Sequence, residues 1–200
     1  GVTPHANVTG KASLSFWIRP SNTGNVTRRI VEATDHPDTC YVLGITSDHL
    51  EMTLFDSSNA NPRAYKWSGA FTDKWGEWSQ IVVTFNKADI TEAPILHMAT
   101  PNIGTGQMTM TNAAGGGSGG TGAIDTPDRL ILFDSVSVDA NEIDAAICDF
   151  MVWDAALTKH EAIELYNRGA RSSESDITGH PQYSNLRYWW QLGNESEMDH

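Results

Sequence analysis

"NEIDAAICDFMVWDAALTKHEAIELYNRG" (Asn141–Gly169) is the stretch on which the fold turns. Its middle, ICDFMVWD, is an apolar-rich run of strand length. Its second half carries the signals that start and stop a helix. Thr158 can cap, Glu161 three residues on completes a capping box, and Leu157 can staple against Ala162. Ala162, Leu165 and Tyr166 form one apolar stripe, and Gly169 suits a left-handed stop. The stripe covers only about two turns. A helix this short is expected to plug one end or edge of a larger strand assembly.

Strand signals dominate the rest of the chain. ASLSFWIRP alternates, with Leu14, Phe16 and Ile18 on one face and Ser13, Ser15 and Trp17 on the other, and Pro20 ends it. CYVLGI and LEMTLF flank a plausible hairpin turn at Thr46–His49. WSQIVVTFN places Ile81, Val83 and Phe85 on one face. APILHMA, RLILFDSV, ICDFMVWD and NLRYWWQLG add further strands. Short turns between many short strands predict an all-β fold, a two-sheet antiparallel jelly-roll sandwich with one short helix. The low-complexity segment NAAGGGSGGTGA (Asn112–Ala123) lacks the lysine of a phosphate-binding loop and reads as a flexible surface loop.

Composition narrows the function classes. The chain has 200 residues, enough for one large domain that folds without a metal or disulfide. Its formal net charge is -12, from 25 acidic and 13 basic residues. A phosphate backbone would be repelled, so no nucleic-acid partner is expected. No apolar run reaches the ~18 residues of a membrane span, so no membrane insertion is expected. GVTPHANVTG has neither the basic start nor the apolar centre of a secretory leader, and no initiator Met precedes it. The start therefore reads as processed or as part of a longer parent. Cys40 and Cys148, the two cysteines, read as buried free thiols or as one disulfide in an oxidising compartment.

The acids of the opening stretch pose a catalytic question. A retaining glycosidase needs two carboxylates about 5 Å apart. Family-16-type glucanases take theirs from a strand reading Glu-x-Asp-x-Glu or Glu-x-Asp-x-x-Glu. Glu142 and Asp144 fit the first half, but Ala146 and Ile147 stand where the second glutamate belongs. The chain has no Gly-x-Ser-x-Gly and no His-Glu-x-x-His. A non-enzyme is expected, with an unusual glycoside hydrolase as an alternative.

Three segments carry a family resemblance. ASLSFWIRP, GEWSQIVVTFN and ICDFMVWDAALTKHEAIELYNRG resemble, in order and spacing, the early strand, the Trp-led central strand and the closing strand–helix unit of laminin G-like and pentraxin-like domains. These belong to the concanavalin A-like lectin/glucanase superfamily. The resemblance spans most of residues 12–170 and implies a concanavalin A-like jelly roll. It also places Trp78 at the strand-opening position, which is a core position in the family. The family's Tyr-Val-Asn-Gly hairpin is absent, replaced by ILHMATPNIGTGQMTM.

Ligand residues follow in two groups. Calcium needs hard oxygen ligands, and pentraxins take theirs from a loop before the closing strand. The corresponding loop here offers Asp134, Asp139, Asn141, Glu142 and Asp144, without matching the pentraxin pattern residue by residue. Of these, Asp134, Asp139, Asn141 and Asp144 are the expected metal ligands. Sugar binding uses exposed aromatic rings. RAYKWSGAFTDKWGEW clusters Tyr65, Trp67, Phe71, Trp75 and Trp78, of which Tyr65, Trp67 and Trp75 are the expected ligand residues, with core or rim packing as the alternative.

The last segment, YSNLRYWWQLGNESEMDH, resembles a motif that follows such domains in phage and marine virus structural proteins. The chain therefore divides into a laminin G-like domain over 1–180 and, over 181–200, a C-terminal strand or the start of a following module. The expected function is non-catalytic binding at an extracellular or virion surface, with cell-surface or extracellular glycans as partners. A purely structural virion protein (capsid decoration, fibre or tail module) contacting other virion or surface-protein subunits is the alternative.

Overall fold

The computed structural model describes residues 10–21, 28–35, 38–45, 49–57, 62–70, 75–100, 109–112, 114–116, 120–133, 143–169 and 173–192. In chain order the strands are β1 (Lys11–Pro20), β2 (Arg28–Asp35), β3 (Asp38–Ile45), β4 (His49–Leu54), β5 (Arg63–Ser68), β6 (Ser79–Asn86), β7 (Ile95–Ala99), β8 (Thr109–Asn112), β9 (Ala114–Gly116), β10 (Arg129–Leu132), β11 (Ala145–Trp153) and β12 (Leu186–Trp190). Helices α1 (Lys159–Arg168) and α2 (Glu174–Thr178) lie between β11 and β12. The strands form two six-stranded sheets. The front sheet runs β12-β11-β1-β6-β7-β8 and the back sheet β10-β2-β3-β4-β5-β9, all pairs antiparallel. This is the expected β-sandwich.

Alternation explains the main core. Leu14, Phe16 and Ile18 of β1 and Ile81, Val83 and Phe85 of β6 point inward from the front sheet. They meet Tyr41, Leu43 and Ile45 of β3 and Leu50, Met52 and Leu54 of β4 from the back sheet. Phe16 stacks on Phe150 at 5.5 Å between ring centroids, and Tyr41 tilts against Phe85 at 5.1 Å. Each such large side chain contributes about 1.5–3 kcal/mol on burial.

The front sheet's other face is also covered. Val82, Ala99, Met151 and Trp153 point outward from β6, β7 and β11, and pack with Leu157, Ala162, Leu165 and Ile177 into a second, smaller core. Trp17 stacks on Tyr166 of α1 at 5.4 Å. The helix therefore lies on the sheet's outer face rather than plugging an end. Its three-residue apolar stripe is matched by outward-facing Trp and Met, which would otherwise meet water. The capping box is present, with Glu161 N–H donating to Thr158 Oγ1 and Thr158 N–H to the Glu161 carboxylate at 2.7 Å. Gly169, at φ 81°, ends the helix and its N–H bonds the Tyr166 carbonyl. A second, five-residue helix, α2, joins the single helix that was expected, and Ser173 caps it with its own box to Asp176.

A bulge re-aims β11. Ser15 pairs with Met151 but Trp17 pairs with Cys148, so two residues of β11 face one of β1. Asp149 takes φ 49° there, a left-handed value uncommon for a non-glycine. The bulge shifts the strand's parity. Ile147 lies against the main core before it, and Phe150 and Val152 enter that core after it.

One reading of the chain's loops is corrected. Ala114–Gly116, inside the segment read as a flexible loop, forms β9 on the edge of the back sheet, paired to Ala64, Tyr65 and Lys66. A ladder needs only backbone N–H and C=O groups, which glycine supplies as well as any residue. Leu186–Trp190 pairs with β11 as the edge strand of the front sheet. Cys40 and Cys148 are free and buried, one in each sheet. Burial first, then the nearby Asp125 charge, pushes the Cys40 thiol up to about 12.

Candidate functional site

The aromatic residues expected to meet a ligand are placed differently. β5 points Tyr65 and Trp67 inward and Lys66 and Ser68 outward. Tyr65 is 3% exposed and Trp67 1%, so neither offers a ring face to a sugar. The Tyr65 hydroxyl donates to the Ile90 carbonyl at 2.6 Å. Trp75 is half-buried and packs against the main core. Trp78, at the expected core position, is instead half-buried, with the Arg19 guanidinium 5.6 Å from its ring centroid. Closeness along the chain does not make Tyr65 and Trp67 a surface cluster, because period-two geometry sends these alternate side chains of β5 into the core.

The expected calcium ligands Asp134, Asp139 and Asn141 lie outside the described residues, as does Glu142. Asp144 is exposed and its carbonyl accepts the Ser21 N–H at 2.8 Å. Among the described residues no group of three His, Cys, Asp or Glu side chains is arranged to hold a metal ion. Acids gather instead near the β2–β3 turn. Burial, then Asp35, Asp38 and Asp56, hold the Asp125 carboxyl above its ordinary value. On β11, Ala146 and Ile147 occupy the places where a glucanase strand needs its second carboxylate. The next acid, Asp149, is buried and accepts from Trp189 Nε1 at 3.1 Å.

Among the described residues, the β12 edge of the front sheet is where the exposed Tyr183 and the half-buried Tyr188 and Trp190, which also pack against the main core, converge with polar groups. Among the described strands β12 pairs with β11 alone, which makes it the edge of the front sheet. Tyr188 and Trp190 share one face and stack at 5.3 Å and 15°. Trp190 also leans on Phe150 at 5.9 Å. Trp189 points the other way, into the second core. Tyr183, 40% exposed, is the exposed large hydrophobic residue of the described chain. These rings, with Ser184, Arg187 and Gln191, line an open groove of about 850 Å³.

Buried charge fixes this edge. The register of β12 slips between Val152 and Trp153, which frees Arg187 to reach Asp154 at 2.6 Å. The other Asp154 oxygen accepts from the fully buried Lys87 at 2.9 Å. One carboxylate thus neutralises a buried lysine and ties β12 to the end of β6. Sequence reasoning noted YSNLRYWWQLG as a strand but missed it as a site. The run of Tyr183, Tyr188, Trp189 and Trp190 was the available signal, and only the edge position of β12 gives it meaning.

No protein-family model matches the chain, and no curated protein matches it. Solved structures do. The receptor-binding domain of a botulinum neurotoxin mosaic serotype C/D is 15% identical, with a TM-score of 0.56 over 81% of this chain and 37% of that one. The serotype D binding domain is 15% identical, with a TM-score of 0.54 over 79% of this chain and 36% of that one. The type G receptor-binding domain is 16% identical, with a TM-score of 0.53 over 80% and 38%. The chain spans under two fifths of these structures, and at such identities the likeness is one of fold: a two-sheet β-sandwich.

Proposed function

We propose that the chain is a non-catalytic binding module for glycans at an extracellular or virion surface, and that the β12 groove is its site. The observation that carries this reading is the convergence of Tyr183, Tyr188 and Trp190 with Ser184, Arg187 and Gln191 on one open edge. A sugar ring has an apolar face that stacks on aromatics and a polar rim that needs fixed hydrogen-bond partners. The similar sandwiches in neurotoxin receptor-binding domains support a binding role. The laminin G-like resemblance points the same way.

A glycan array followed by titration calorimetry tests it. Tyr183→Ala should weaken the selected glycan roughly three- to tenfold, the worth of one aromatic contact. Its melting temperature should hold, since Tyr183 is a surface side chain. An array without a binder, or a variant that binds as tightly as the parent, overturns the proposal. Reducing-sugar release from a bound glycan would overturn the non-catalytic part.

A structural virion module is the second reading, and the edge position of β12 among the described strands favours it, because an edge strand can take a strand from a neighbouring subunit. Stable self-association on sizing, with no glycan bound, would select it. Calcium on Asp134, Asp139, Asn141 and Asp144 is part of the proposal too. The ion should stabilise the fold by about 2.7 kcal/mol at a hundredfold excess over its Kd. The gain should shrink in Asp139→Asn, and an unchanged melting temperature in millimolar calcium removes the ion from the account.

A further inference from the structure

The exposed tyrosine of the β12 groove rides on a turn that hangs from a buried histidine. His180, 3% exposed, lies between α2 and the 3-10 turn at Tyr183–Asn185. Its ring is bonded at both nitrogens. Nε2 donates to the Glu161 carbonyl at 3.2 Å, and Nδ1 accepts the Gln182 N–H at 3.2 Å. Gln182 opens the 3-10 turn. Its carbonyl accepts the Asn185 N–H at 2.8 Å and its Oε1 accepts from Asn185 Nδ2 at 2.7 Å. The Tyr183 N–H donates to the His180 carbonyl at 2.9 Å. One imidazole lone pair thus anchors the turn that places Tyr183 and Ser184 in the groove.

Protonation removes that lone pair. A proton on Nδ1 points at the Gln182 N–H, so two donors face each other and the bond is lost. The ring is buried and backed by Trp153 at 5.0 Å, whereas Tyr183 and Ser184 are exposed, so the turn is the part that gives way. Burial first holds His180 below its ordinary 6.5; the Glu161 carbonyl opposes this, the Arg168 charge adds to it, and the Glu164 and Glu161 charges oppose it, all from α1. On α2 the Asp176 carboxylate is bound to the Ser173 N–H. The ring is therefore neutral near pH 7 and takes up its second proton below 6.5.

We propose that His180 is a pH switch for the β12 groove: its protonation releases the Tyr183–Asn185 turn and lowers the affinity of the groove for its ligand in acid. His180 touches no ligand and acts through Gln182 as a positioning residue. The identity of the ligand rests on the glycan reading above; the movement of the turn does not.

The test has a ligand-free arm and a binding arm. In the full chain without ligand, the nuclear magnetic resonance signals of the His180 imidazole, the Gln182 amide and the Tyr183 ring should move with one common midpoint as pH falls from 7.5 to 5.5. A neutral glycan selected on the array at pH 7.5 is then titrated at both pH values, so that pH acts on the protein alone. Its affinity should fall roughly three- to tenfold in acid, the worth of the Tyr183 contact. Tyr183→Ala should bind weakly at both, with a change below about twofold. His180→Gln, which keeps a hydrogen-bonding side chain and does not titrate, should flatten the profile in the same way. Gln182 and Tyr183 signals that stay in place while His180 titrates overturn the switch and leave the glycan reading intact. Equal binding at both pH values, or a Tyr183→Ala variant that keeps the full fall, does the same. A chain that binds no glycan at either pH overturns the glycan reading, and the regulation of the groove with it, even if the ligand-free turn moves.

Discussion

The two faces of the front sheet are both buried, yet they are held in different ways. The inner face meets another sheet across a broad apolar layer, with Leu14, Phe16, Ile18, Ile81, Val83 and Phe85 aligned by strand periodicity. The outer face meets two short helices, and directional bonds are threaded through its small apolar cluster. The Ser13 hydroxyl donates to the Ala155 carbonyl at 2.8 Å, accepts the Leu157 N–H at 3.0 Å and meets the Thr84 hydroxyl at 2.8 Å. Trp153 Nε1 donates to Ser15 Oγ at 2.9 Å. Gln182 donates to Glu161 at 2.7 Å and its N–H reaches His180 Nδ1. Where apolar area is limited, hydrogen bonds to buried backbone groups set the position of the helices, because leaving those groups unpaired is expensive.

Substitution on the inner face should have the larger effect. Phe16→Ala removes a fully buried ring from between two sheets and should cost about 3–5 kcal/mol in denaturant unfolding. A loss below about 1 kcal/mol would mean that the inner face is no tighter than the surface.

On the outer face the sensitive groups are polar. Ser13→Ala leaves the buried Leu157 N–H and the Ala155 carbonyl without their partner and should cost about 1–3 kcal/mol, although only one oxygen is lost. Hydrogen exchange should rise over residues 157–168 and stay unchanged in β3 and β4. Equal exchange across both regions would show that the two faces open as one unit.

The smallest effect is that of pH, and it should act on the outer face. Burial first holds His180 below its ordinary value of 6.5, against an opposing bond to the Glu161 carbonyl. The Nδ1 accepts from Gln182 N–H, so Nε2 carries the proton and donates to Glu161. A depressed histidine binds its proton less readily when folded than when unfolded. Its contribution to stability is complete above 6.5 and is lost as pH falls from there toward the lower folded value. The melting temperature should therefore drop between pH 7.5 and 5.5, with His97 adding to the loss in the same direction. In His180→Gln the drop should be smaller. An unchanged drop would place the sensitivity elsewhere.

At the site, legibility depended on the kind of signal. The missing glucanase carboxylate was readable because Ala146 and Ile147 cannot supply an acid in any fold. The exposure of the aromatics was not, because Tyr65 and Trp67, both buried, differ from the exposed Tyr183 only in what the chain lays over them. Nothing in the spacing of RAYKWSG reveals that both rings point into the sandwich, or in YSNLRYWW that its strand takes an edge.

The sequence by itself determined eight of the twelve described strands, where α1 begins and ends, and that the fold is a two-sheet sandwich. These rest on local physics: period-two alternation, the Thr158–Glu161 box and the stop at Gly169. Tertiary structure alone decided that both faces of the front sheet are covered, so that Ser13, Ser15 and Thr84 are buried although alternation places them opposite the core. It also decided the parity shift at Asp149, the edge place of β12 and the reach of Arg187 to Asp154. Alternation divides a strand into two faces, but which of them meets water depends on partners distant in the chain.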